Sequence, residues 1–155
     1  MTRLAVFIAT AGYCGYFPFA PGTVGSAAGL LVYAVVWWMG SPFVELAMIV
    51  GLFAAGVWAG TTAERYFGGV DPGPIVLDEV VGMLITLAFI PDLGWSGVLA
   101  GFVLFRIFDV IKPFPAGRFE RLHGGLGVMA DDAMAAIYAN ASLRLLLWLM
   151  PAWIA

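Results

Sequence analysis

Charge is what this sequence has least of. Seven Lys+Arg and ten Asp+Glu make up 11% of its 155 residues, where an average soluble chain carries about 25%. So few charges cannot clothe a water-soluble surface, and the rest of the composition agrees: 63% hydrophobic, mean hydropathy +0.98. The net charge is −3 and no basic stripe exists, which excludes a nucleic-acid binder. One cysteine, Cys14, excludes an intrachain disulfide and a cysteine-based zinc site, and with them a disulfide-stapled secreted domain. Ala11-Gly12-Tyr13-Cys14 imitates a lipoprotein cleavage site, but bulky Tyr13 stands where a small residue is required. Cys14 therefore reads as a buried thiol. The expectation is an integral membrane protein of one domain, residues 1–155.

What the chain does have is long uncharged runs. No charge falls between Arg3 and Glu45, or from Leu46 to Ala63. A membrane-crossing helix needs about 20 mostly apolar residues. The runs, punctuated by glycine and proline, predict helices over about Thr23–Met39, Phe43–Gly60, Ile75–Ile90 and Trp95–Lys112. A last helix is predicted from near Asp131 to the C-terminus, with a break near Asn140. Thr61–Pro74 reads as loop, because Gly68-Gly69 and Pro72-Gly73-Pro74 do not sustain a helix. The fold class is all-α: a multi-pass membrane bundle of about five main helices plus a short N-terminal interfacial or re-entrant helix. Gly25/Gly29, Gly56/Gly60 and Gly97/Gly101 form small-residue faces on three helices, expected to pack within the bundle rather than dimerise it.

The scarce charges are clustered. Five lie between Glu64 and Glu79, and eight between Arg106 and Asp132. With the chain reversing at Asp92, Asp78 and Arg106 both lie fourteen residues from the turn, about 21 Å along their helices and so at one depth. Asp109 and Lys112 follow Arg106 in steps of three on the same helix face. Asp131 and Asp132, opening the last helix, belong to the same end. Ionisable residues flanked by Val, Ile, Leu and Phe are costly and mark function by default. Glu64, Arg65, Glu120 and Arg121 read instead as solvated helix ends, and a structural Arg106–Asp78 ion pair is the bland alternative for that pair.

Five converging carboxylates, Asp78, Glu79, Asp109, Asp131 and Asp132, would repel one another unless a cation joined them. With no cysteine ligand set and one histidine, the donors are oxygens and the ion is hard, Mg²⁺ above all. Arg106 and Lys112 suit a phosphate, as do the amides of the run His123-Gly124-Gly125-Leu126-Gly127 entering a helix. Together these describe a metal-dependent phosphoryl-transfer site. Arg65, Arg106, Lys112, Arg118 and Arg121 at one end put that end in the cytoplasm. Arg144, about twelve residues into the last helix, then falls deep in the membrane and has no explanation beyond a kink or tilt.

Four motifs then match in order and spacing: Pro21-Gly22-Thr23-Val24-Gly25-Ser26, Asp71-Pro72 leading to Leu77-Asp78-Glu79-Val80-Val81-Gly82, Phe105-Arg106-Ile107-Phe108-Asp109 through Lys112-Pro113-Phe114-Pro115, and His123-Gly124-Gly125-Leu126-Gly127 through Asp131-Asp132. The sequence resembles the bacterial phosphatidylglycerophosphatase A family over nearly its whole length. That resemblance implies an all-helical, Mg²⁺-dependent phosphatase of the bacterial inner membrane, with its site facing the cytoplasm. Its lipid substrate would be phosphatidylglycerophosphate, converted to phosphatidylglycerol and inorganic phosphate in glycerophospholipid biosynthesis. It makes Asp78, Glu79, Asp109, Asp131 and Asp132 the metal-holding acids. Asp78, Glu79, Arg106, Asp109 and Asp131 become the catalytic set, and Arg106, Lys112, His123, Gly124, Gly125 and Thr23 the substrate contacts. His123 is set between general acid and loop or phosphate contact, the latter favoured; Thr23 and Ser26 are favoured as helix caps. Pro74, where a polar residue is usual, and Ala136, where glycine is common, depart from the family pattern. The competing readings are a small helical membrane transporter and a non-enzymatic lipid-binding subunit. A transporter would place its acids near the midplane and often repeats its halves, and no repeat is present here.

Overall fold

The computed structural model describes residues 1–91, 93–119 and 122–150; Asp92, Glu120 and Arg121 lie outside them. Among the described residues every regular element is helical: α1 (Thr2–Ala9), a 3₁₀ turn (Cys14–Tyr16), α2 (Pro21–Met39), α3 (Pro42–Phe67), α4 (Leu77–Leu87), α5 (Trp95–Ile111), α6 (Ala116–Phe119) and α7 (Gly125–Leu149). Proline opens α2 and α3 at the first helical position, where its missing N–H costs nothing. Gly40 and Gly68 close them at φ 63° and 78°, in the left-handed region that a Cβ disfavours. Pro113 stops α5 one residue beyond Lys112.

Two of these helices, α2 and α3, are long and apolar enough to cross a membrane. Their apolar side chains face outward: Trp38 of α2 and Phe43 of α3 are each 82% exposed. Exposed apolar surface of that kind marks a face that meets a membrane or another protein.

α4 is the hub. α2, α7, α3 and α5 all pack on it, while α1 lies along α3. The core behind the site joins Met83, Leu84 and Leu87 of α4 to Tyr33, Phe105, Ala136 and Leu143. Small residues set the spacing. α2 approaches α4 so closely at Gly29 that a Cβ there would lie 2.8 Å from Met83 Cβ, and α3 meets α7 where Gly60 faces Gly125. The small-residue faces are thus used inside the bundle.

Several expected boundaries move. α3 continues through Thr61–Phe67, so the loop begins only at Gly68. Thr61 and Thr62 sit inside the helix with their hydroxyls donating back to the Val57 and Trp58 carbonyls. The helix expected over Ile75–Ile90 is cut to Leu77–Leu87, about 16 Å long, which alone falls well short of a hydrocarbon core of about 30 Å. α7 starts six residues before Asp131 and runs unbroken past Asn140. Cys14 is half-buried in the 3₁₀ turn, not enclosed.

Candidate active site

The starts of α2, α4 and α7 meet the final turns of α5 at one end of the bundle. Asp78 and Glu79 occupy the first turn of α4, where the helix dipole favours negative charge. Asp132, from α7, closes on them: one oxygen each of Asp78, Glu79 and Asp132 lie within 4.8 Å of one another. Asp78 and Asp132 are 6% and 3% exposed, and the Glu79 side chain 12%. Asp78 Oδ1, Glu79 Oε2 and Asp132 Oδ2 are all buried without a hydrogen-bond partner. Buried acceptors are ordinarily satisfied, so three orphans together are an anomaly that invites a ligand. At that separation two like charges repel by about 3.5 kcal/mol at an effective dielectric of 20.

Asp109, on α5, stands beside Asp132 within hydrogen-bonding reach, and Arg106 ties it in. Arg106 Nη1 lies 2.8 Å from Asp109 Oδ2 and 3.9 Å from Glu79 Oε1. The same nitrogen donates to Ser26 Oγ at 3.3 Å, and Ser26 in turn donates to the Gly22 carbonyl at 2.9 Å. Arg106 thus pairs with Glu79 and Asp109, not with Asp78. Gly22 makes the approach possible: a Cβ there would sit 2.3 Å from Glu79 Oε1 and 3.1 Å from both terminal nitrogens of Arg106.

Of the five expected acids, then, three share a centre, Asp109 adjoins it, and Asp131 turns aside. Adjacent residues on a helix point about 100° apart. Asp131 and Asp132 are not at the helix start but inside α7, so only one of them can face α4. Asp131 instead pairs with Lys112, Nζ to Oδ2 at 2.5 Å, and lines a cavity of 250 Å³ with Glu64 and Asp71. Lys112 is thereby held at the edge of the acid cluster.

The glycine run is used for packing. The Gly125 amide donates to Thr61 Oγ1 at 2.9 Å, and a Cβ on Gly125 would strike the Val57 carbonyl at 2.3 Å. That amide is committed to α3, and Gly124, at φ 73°, sets the entry turn. His123 is exposed and makes no hydrogen bond or ion pair among the described residues. Thr23 is exposed on α2, and neither it nor Ser26 caps the helix: Ala20 holds the N-cap position with no side-chain bond.

Residues with no expected role hold the other end of α4. Asn140 Nδ2 donates to the carbonyls of Ile85, Thr86 and Ala88 at 3.1, 2.9 and 3.1 Å. Arg144 donates through Nη2 to Ala88 and Phe89 at 2.9 and 3.0 Å. They cap the end of α4: Ile85 and Thr86 belong to its last turn, where helix carbonyls run short of amides, and Ala88 and Phe89 follow it. Arg144 is therefore explained by the early end of α4, within an α7 that runs on without a break.

A family model for phosphatidylglycerophosphatase A matches residues 7–147. A Bacteroides thetaiotaomicron protein provisionally named a phosphatidylinositol-3-phosphatase is 38% identical over 155 residues, 95% of this chain and 96% of its own. Phosphatidylglycerophosphatase A of Haemophilus influenzae is 43% identical over 121 residues, 77% of this chain and 74% of its own. The Escherichia coli protein of that name is 39% identical over 130 residues, 83% of this chain and 75% of its own. No solved structure matches. With nearly its whole length covered and the buried acid cluster inside the matched span, the chain belongs to the phosphatidylglycerophosphatase A family of phosphatases.

Proposed function

We propose that this chain hydrolyses the terminal phosphate of phosphatidylglycerophosphate, yielding phosphatidylglycerol and inorganic phosphate, with Mg²⁺ as cofactor. The observation that carries the reading is the trio of unpartnered buried oxygens on Asp78, Glu79 and Asp132, standing beside Arg106. Their donor set is all oxygen and acidic, which fits a hard divalent ion and fits no thiophilic one. Asp78, Glu79 and Asp132 would hold it, with Asp109 adjoining; when bound, it supplies the positive charge that lets a phosphate dianion approach acids and polarises that phosphate. The names of the Haemophilus and Escherichia relatives support the substrate, and the Bacteroides name points to the same chemistry, a phosphomonoester on a lipid headgroup.

The chain's own residues do the positioning. Arg106, held by Asp109 and Ser26, presents donors to the equatorial phosphate oxygens and faces the charge that builds there. Lys112, anchored on Asp131, adds a second cation nearby. Water adds its oxygen to phosphorus in line, the bridging P–O bond breaks, and the proton that the water gives up ends on the departing glycerol oxygen. Val110 and Phe114, 75% and 71% exposed beside this end, suit a substrate whose acyl chains stay in the bilayer. The charge-rich end faces the cytoplasm of the inner membrane on this reading, and the reaction is a step of glycerophospholipid synthesis.

The test is phosphate release from phosphatidylglycerophosphate in detergent micelles, with and without a chelator, with phosphatidic acid and phosphatidylinositol 3-phosphate in parallel. Fastest release from phosphatidylglycerophosphate, lost on chelation and restored by Mg²⁺, is the expected result. Faster release from phosphatidylinositol 3-phosphate overturns the substrate; release indifferent to chelation overturns the metal.

A further inference from the structure

Arg144 carries a charge that its capping role does not use up. Nε donates to Asn140 Oδ1 at 2.8 Å, and Nη2 serves the Ala88 and Phe89 carbonyls, all neutral acceptors. Among the described residues no bond engages Nη1 and no carboxylate lies within ion-pair distance of the guanidinium. Glu45, the acid described at this end, instead accepts the Phe89 amide at 3.2 Å. The dipole at the end of α4 offsets only about half a charge. Among the described residues this cation thus meets no anion on an exposed, apolar flank of the bundle, where an unpaired charge is costly.

The space beside it has a definite shape. A groove of 250 Å³ runs from Arg144 and Asn140 along Leu46, Ile49, Ile85 and Ile137. Arg144 brings it a guanidinium with donors left over on Nη1, and apart from Asn140 the rest of the lining is apolar. We propose that it binds an anionic glycerophospholipid, the headgroup phosphate on Arg144 Nη1 and an acyl chain along the four aliphatic residues. A guanidinium fork suits a phosphate oxygen pair, and a lipid of net negative charge also neutralises the cation. A zwitterionic lipid has the phosphate but brings its own cation. The site lies at the opposite end of α4 from Asp78, so it is distinct from the proposed catalytic centre and does not rest on the phosphatase reading.

The experiment uses the full chain in detergent, titrated with dioleoylphosphatidylglycerol or dioleoylphosphatidylcholine, with melting temperature and lipid retained in native mass spectrometry as readouts. The wild type should hold one phosphatidylglycerol and melt higher with it, and respond weakly to phosphatidylcholine. Arg144→Gln should lower retention about tenfold, the loss of one charge-assisted contact. Ile137→Trp fills the groove while leaving every hydrogen bond of Arg144 in place, so loss of binding there separates lipid binding from helix capping. It also carries the test if Arg144→Gln fails to fold. Arg106→Gln, at the other end, should leave the shift unchanged. Equal responses to the two lipids, undiminished binding in Ile137→Trp, or loss of the shift in Arg106→Gln would each overturn the proposal.

Discussion

The two ends of α4 receive opposite treatment. At its C-terminus the carbonyls of Ile85, Thr86, Ala88 and Phe89 are taken up by Asn140 and Arg144 from α7, and among the described residues the Thr86 hydroxyl is the one buried side-chain group of that end without a partner. At its N-terminus Asp78 and Glu79 are joined by a third carboxylate, and an oxygen of each goes without a partner. Satisfied polar groups in an apolar surrounding hold a fold together. Unsatisfied ones cost stability and persist where a ligand completes them. The polar residues of one bundle can thus be sorted into scaffold and site by asking which have partners.

The sharpest break of that comparison is Asp132→Asn. It should cut phosphate release on the order of a thousandfold while the melting temperature holds or rises, because one repelling charge leaves the cluster. A variant that melts lower and keeps its turnover would make Asp132 a structural acid. Asn140→Ala should do the reverse. It strands carbonyls at the end of α4, and about 2 to 3 kcal/mol of stability should go, with turnover per folded molecule within about twofold of wild type. Denaturant or thermal melts beside an activity assay separate these outcomes.

Gly22→Ala sharpens the acid end without touching a charge. The new methyl must displace Glu79 or Arg106, and turnover should fall about tenfold or more with little change in melting temperature. Ser26→Ala is the mildest. Arg106 keeps Asp109 and loses one support, so a few-fold loss is expected, seen in KM for the phosphate ester if Arg106 binds the ground state. No effect in either variant would place the substrate elsewhere than against α2.

Much of the acid end was legible because acids inside Val, Ile and Leu runs stand out, and because equal distances from a hairpin turn put Asp78 and Arg106 at one depth. What was not legible needed a partner from far along the chain. Arg144 has no explanation in its own helix, since its carbonyl acceptors are 55 and 56 residues away. Gly124-Gly125 reads as loop by propensity, yet Gly125 is helical because only hydrogen fits against the Val57 carbonyl. Ser26 reads as a cap from its place near a helix start, and its bond to Arg106 spans 80 residues. Asp131 and Asp132 read as a pair, but a helix sends neighbours different ways, and moving the helix start to Gly125 settled which of them meets α4.

The most direct measurement is the melting temperature of wild type and Asp78→Asn in detergent, each with a chelator and then with Mg²⁺. The ion should raise the wild-type midpoint and leave that of the variant where it was, since the acids that repel in its absence are the ones it joins. A wild type that melts at one temperature in both conditions, or a variant that responds as fully as the wild type, would contradict the claim that Asp78, Glu79 and Asp132 come together to hold a cation.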